Sequence, residues 1–124
     1  HKNAVRSWIA ACAQHHGCSL GEVSVIFCSD DYLLEMNKTH LDHDYYTDII
    51  TFDYTEGKVL SGELYISVDR VKDNAAQHQH LFRDEMHRVI IHGFLHLMGF
   101  KDKNEADEAQ MRREEDFCLN LRSF

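Results

Sequence analysis

His92 and His96 stand four residues apart in the run His92-Gly93-Phe94-Leu95-His96-Leu97-Met98-Gly99-Phe100-Lys101-Asp102. On a helix that spacing stacks two imidazoles on one face, where both can reach a single ion. Gly99 comes where such a helix would stop, and glycine takes the left-handed conformation of a helix end without steric cost. The chain can then double back, and Asp102 brings a carboxylate suited to a third ligand place. Three protein ligands leave a further position open to water, the pattern of catalytic rather than structural zinc. Burying two imidazoles without partners on the most apolar stretch of the chain is expensive. One divalent metal ion held by His92, His96 and Asp102 is therefore favoured over a pair of satisfied core histidines. Zinc suits this ligand set best, and iron, nickel or manganese would also fit it.

Other residues near this run carry weaker signals. Arg88 precedes His92 by four residues and shares its helix face, where it could grip a phosphate oxygen as a bidentate donor. Its competing role, an i,i+4 pair with Asp84, is favoured two to one. His40 and His43 fall in a polar stretch, where a solvated histidine is the commoner outcome. Asp48 either lies behind the ligands or simply starts a strand. No function is assigned to His15, His16, His78, His80 or His87, and His87 is off the face shared by 92 and 96. The acidic run from Glu105 to Asp116 reads as a solvated helix face.

The elements around these residues follow from periodicity. Ala4 to His16 carries Val5, Trp8, Ile9 and Cys12 at helical spacing, and Gly17 stops it. Val23 to Cys28 reads as a strand. Ser29 caps a short helix running through Leu33, Leu34 and Met36, followed by a polar loop from Thr39 to Tyr46. Asp48 to Tyr54 and Gly62 to Ser67 are β-type segments on either side of a turn at Glu56-Gly57-Lys58, and pair as an antiparallel hairpin. Asp69 to Gln79 is polar and helical. Leu81 to Met98 is apolar nearly all round, the mark of a central, buried helix. Asn104 caps a last charged helix to Leu121. The order implies an α+β fold: one domain over residues 1–124, with a small mixed sheet packed on helices around a buried metal-binding helix.

Composition narrows the function classes. The 124 residues fit one domain, and 44% hydrophobic content supplies a core. No stretch approaches 18 apolar residues, so no membrane span is expected. The chain begins His1-Lys2-Asn3 with neither an initiator Met nor an apolar signal run, and His1 is set aside as extraneous. Four cysteines without C-x-x-C spacing read as buried, reduced thiols, which suits the cytoplasm. A formal charge of -8 weighs against a general nucleic-acid coat, so any RNA contact is local or helped by a partner.

The spacing of the histidine run also echoes metallopeptidases, in which a Glu after the first His is the general base. Here that residue is Gly93, which moves no proton. A different resemblance covers far more of the chain. Arg88 to Phe100 resembles the signature of the bacterial YbeY family. Thr47-Asp48-Ile49-Ile50-Thr51-Phe52 resembles its T-[DN]-V-L-S-F strand, and Gly62 to Ser67 its G-[DE]-I-x-I-[SC] strand. Met111 with Arg112-Arg113-Glu114-Glu115 resembles the closing helix. The likeness runs in order from about residue 23 to 118.

This resemblance implies a metal-dependent, single-strand-specific endoribonuclease. It would mature ribosomal RNA, notably the 3′ end of the small-subunit RNA, and serve ribosome quality control. Ribosomal RNA and the small subunit would be its partners, with no DNA and no membrane. The ligands map onto His92, His96 and position 102. The family commonly has a third His where this chain has Asp102, which leaves the site at about +1 rather than about +2 and acidifies a bound water less. It also commonly has an Arg near the position of Leu41. Two rival readings remain: a zincin-like metallopeptidase or other hydrolase, and a non-catalytic ribosome-biogenesis factor stabilised by its metal.

Overall fold

A computed structural model describes residues 2–124; His1, set aside above, lies outside the described residues. Eight elements follow one another: α1 (Lys2–His15), β1 (Ser19–Cys28), α2 (Asp30–Leu41), β2 (Ile49–Asp53), β3 (Val59–Ser67), α3 (Val68–His78), α4 (Phe82–Leu97) and α5 (Glu105–Asn120). The sheet order is β1-β3-β2. β2 and β3 form the expected antiparallel hairpin, with Ile49 opposite Ile66 and Asp53 opposite Gly62. β1 adds to the other edge of β3 in parallel, which makes the sheet mixed.

Period-two alternation on β3 sets the layers. Leu60, Leu64 and Ile66 are fully buried and face a core shared with α1, α4 and α5. α4 crosses this face so closely that a Cβ on Gly93 would come within 2.8 Å of Ile49 Cδ1 and 2.9 Å of Leu64 Cδ1. The absence of a side chain at Gly93 is thus what lets the helix lie this close to the sheet. On the reverse face α2 packs over β2 and β3, burying Leu33 and Asn37. Trp8 ties the ends of the chain together by donating its Nε1–H to the Cys118 carbonyl at 2.6 Å. All four cysteines are free; Cys12 and Cys118 are buried, and Cys18 and Cys28 are half-buried.

Three boundaries differ from the sequence reading by three residues or more. β1 starts at Ser19 rather than Val23, through a register shift between Leu20 and Val23 that interrupts the alternation. β3 starts at Val59 rather than Gly62, because the chain closes a tight turn with a bridge between Glu56 and Val59. α2 runs on to Leu41, so the loop expected from Thr39 begins only at Asp42. Asp42 adopts a left-handed conformation (φ 55°), and its N–H and that of His43 both close on the Asn37 carbonyl. The buried Asn37 side chain also donates to the Tyr45 carbonyl at 2.9 Å and holds the following loop against the sheet.

Candidate metal centre

The last turns of α4 place His92 and His96 on one face. The helix then ends at Gly99 (φ 106°), whose N–H bonds the His96 carbonyl, while Phe100 N–H bonds the Leu95 carbonyl. The chain turns back before α5, which starts with Asn104 accepting from the Asp107 N–H at 2.9 Å. This reversal delivers Asp102 to the histidine face. The structure brings the three sequence-derived ligands together: Nε2 of His92 and Nε2 of His96 lie 3.1 Å apart. Asp102 Oδ2 lies 3.4 Å from the first and 3.3 Å from the second. A tetrahedral ion with bonds near 2.0–2.1 Å spaces its ligand atoms about 3.3 Å apart.

Hydrogen bonding fixes which ring atoms face inward. His96 Nδ1 is 3.0 Å from the Phe100 carbonyl, which can only accept, so Nδ1 carries the proton. His92 Nδ1 donates to Glu115 Oε2 at 2.7 Å. With both rings neutral, as metal binding requires, each Nε2 presents a lone pair toward the other and toward the Asp102 carboxylate. Three electron-rich atoms at such distances repel one another, and a cation between them turns the repulsion into coordination. The residues present fit a divalent ion, and this cluster could hold one.

Glu115 is the functional residue that the sequence reading missed by assigning it to a solvated face. It is buried on α5, and Arg88 donates to its Oε1 at 2.8 Å. A signal was present: Met111, Glu115 and Cys118 recur at helical spacing and form the buried stripe of α5. Burial would raise the Glu115 pKa, but hydrogen bonds from His92 and Arg88 outweigh it and hold the carboxyl below its usual range. Burial works the other way on His92, pressing its pKa down, and the Glu115 hydrogen bond and charge reverse it, so that the ring is more basic than an ordinary histidine.

Arg88 does not face the ligand cluster. It forks between Glu115 and Asp116, 2.8 and 2.7 Å away. The pair with Asp84 does not form either, since Asp84 accepts from Arg122 at 3.0 Å. Arg88 thus stands behind Glu115, bonded to it rather than to the ligand cluster.

The ligand cluster floors an open cleft of about 290 Å³ whose other wall is the α2–β2 loop and the start of β2. Leu41, His43, Tyr45 and Asp48 line that wall. His43 stacks on Tyr45 (centroids 5.0 Å, 19° between planes), and the Tyr45 hydroxyl meets His43 Nδ1 at 2.9 Å. His40 turns instead toward Phe52. Asp48 is half-buried, which pushes its pKa up against the partial relief that His92 provides.

A family model described as Endoribonuclease YbeY matches residues 1–122. The chain belongs to the YbeY family. A relative from Cytophaga hutchinsonii, named Endoribonuclease YbeY, is 51% identical over 97% of this chain and 85% of its own length. Relatives of the same name from Porphyromonas gingivalis and Bacteroides thetaiotaomicron are 51% and 49% identical, covering 95% and 98% of this chain and 78% and 88% of their own. A Thermotoga maritima protein solved in solution superposes with a TM-score of 0.70 at 25% identity, over 94% of this chain and 77% of that one. In this YbeY-family chain Leu41 stands where the resemblance expects an Arg, so apolar surface and the His43 imidazole occupy that stretch of wall. Among the described residues, no helix is long and apolar enough to cross a membrane.

Proposed function

We propose that this chain is a metal-dependent endoribonuclease that cuts single-stranded RNA during ribosomal RNA maturation, acting near the 3′ end of the small-subunit RNA. The observation that carries the reading is the convergence of two imidazole Nε2 atoms and one carboxylate oxygen at 3.1–3.4 Å. Relatives about half identical to this chain are named endoribonucleases. The ion, which we take to be zinc, would supply Lewis acidity toward a phosphodiester oxygen and toward water.

The chain's own residues supply the rest. His92, His96 and Asp102 hold the ion, and Glu115 and the Phe100 carbonyl fix the ring orientations. Without an Arg at position 41, the ion is the main positive charge facing a phosphate, which agrees with a chain of net charge -8 that needs only local RNA contact. The stacked His43–Tyr45 pair at the rim, with Tyr45 55% exposed, offers a face for an unpaired base. A base can stack there only if it is free of a duplex, which supports single-strand selectivity. Gly93 argues against a peptidase, because a Glu side chain at that position would point into the sheet rather than toward the ion.

Single-stranded and duplex RNA of one sequence, incubated with purified protein, test this reading. We expect cleavage of the single strand alone, lost with chelator and restored by Zn2+, and lost in His96→Ala. Metal-loaded, folded protein that leaves every RNA intact would point instead to a binding factor, and chelator-sensitive casein degradation to a peptidase.

A further inference from the structure

A second set of ligand-type side chains meets where α3 gives way to α4, apart from the cleft. Glu85 lies in the first turns of α4 with its side chain only 6% exposed. A carboxylate so far out of water needs compensation. The α4 N-terminus contributes some. Among the described residues, the only basic side chains within 4.0 Å of this carboxylate are two histidines: His80 Nδ1 lies 3.0 Å and His78 Nδ1 4.0 Å from Oε1. Both rings are well exposed, at 42% and 58%.

Backbone geometry produces this convergence. Gln79, between the two histidines, takes a left-handed conformation (φ 57°) that is uncommon outside glycine. Its N–H closes α3 on Ala75 and Ala76, and His80 N–H returns to the Ala75 carbonyl at 2.9 Å. The reversal turns both imidazoles toward Glu85, with ring centroids 5.7 Å apart. One donor atom from each of the three residues lies within 4.8 Å of the others. One Lys or Arg would neutralise a buried carboxylate more simply. Two imidazoles and a carboxylate, open to solvent on one side, are instead the ligand chemistry of a borderline transition ion.

We propose that His78, His80 and Glu85 form a second metal site, for a borderline divalent ion such as Zn2+, Ni2+ or Cu2+, that staples the end of α3 to the start of α4. Glu85 is the rigid ligand, and His80 already stands at hydrogen-bond distance from it. His78 closes by rotating its exposed side chain until its donor atom is about 3.3 Å from the others. Two ligands are exposed side chains whose rotamers must be fixed on binding, so this site is the weaker of the two. The staple braces the same helix that carries His92, two turns further on.

The test is a count of ions. Metal-free protein is dialysed against about 10 µM free Zn2+, a level that fills sites of micromolar affinity or better, and bound zinc is measured by elemental analysis. We expect two equivalents in the wild type and one in His78→Asn/His80→Asn. We expect His78→Asn alone to weaken the second equivalent by about tenfold or more, as loss of a ligand does. Zn2+ should raise the wild-type Tm in two steps and that of the double variant in one. RNA cleavage by the double variant should persist, which separates loss of this ion from loss of the first. The same zinc count in the wild type and the double variant would overturn the proposal, whereas one equivalent in the wild type and none in the double variant would count against the first site alone.

Discussion

At residue scale, the site depends on what stands behind its ligands. Glu115 orients His92 and Arg88 orients Glu115, so a substitution one residue removed from the ion should be felt as affinity. Glu115→Gln keeps the shape but removes the charge that both partners donate to. We expect the affinity for Zn2+, measured by chelator competition, to fall about 10- to 100-fold with the circular dichroism spectrum retained. His92 and His96 were legible in the sequence because two imidazoles at i,i+4 followed by a Gly stop form a local pattern. The role of Glu115 depends on a contact across 23 residues with a helix of mixed charge, where nothing local marks one acid among many.

Asp48 makes a second prediction at this scale. Burial raises its folded-state pKa above that of the unfolded chain, with Glu85 adding to the rise and His92 opposing it. In the interval between the two values the folded protein binds more protons. Stability therefore falls as pH rises through that interval, and above the folded pKa the full cost of the buried charge is present. Asp48→Asn removes this cost, so the Tm at neutral pH should rise. Asn also occurs here in the family pattern that residues 47–52 resemble, so RNA cleavage should stay within about fivefold. A lower Tm in the variant would show that the carboxylate is stabilised by contacts that offset its desolvation.

At element scale, the helix–sheet crossing at Gly93 explains why the metallopeptidase base is absent. The glycine lets α4 approach Ile49 and Leu64, and the same approach sets the cleft between the ligands and β2. Gly93→Glu should therefore destabilise by more than about 3 kcal/mol in urea unfolding, through overpacking and an unpaired buried charge. It should confer no peptidase activity. The hairpin and the buried helix were readable from alternation and continuous apolarity. The extra length of α2 was not, because Thr39 and His40 look like loop residues and only the Asn37 carbonyl contacts with Asp42 and His43 extend the helix past them. That the sheet is mixed was expected, but not that β1 docks on β3 rather than on β2, since a strand's pattern does not name its partner.

At the scale of the whole molecule, both ends of the chain close over His87. Its ring packs on Trp8 from α1 and on Phe124, and Arg122 donates to its Nδ1 at 2.8 Å. Only a neutral imidazole can accept that bond. Burial, then the charges of Arg122 and Arg83, hold the His87 pKa below its ordinary value, with Asp84 opposing. The unfolded chain thus takes up a proton near pH 6.5 that the folded chain refuses. Stability should be full above that pH and decline as pH falls toward the depressed folded value. His87→Phe keeps an aromatic ring in place and cannot titrate, so its Tm should decline less steeply between about pH 6.5 and 5. Equal slopes in variant and wild type would place the acid sensitivity elsewhere.

In the proposed centre, one ion draws together side chains from the end of α4 and from the loop beyond it. X-ray absorption at the zinc edge, on zinc-loaded His78→Asn/His80→Asn protein so that the first site alone is seen, reads the ligands directly. Two imidazole nitrogens and one carboxylate oxygen should appear at about 2.0–2.2 Å, with the carboxylate contribution lost in Asp102→Ala. A shell containing no imidazole, or one that Asp102→Ala leaves unchanged, would contradict it.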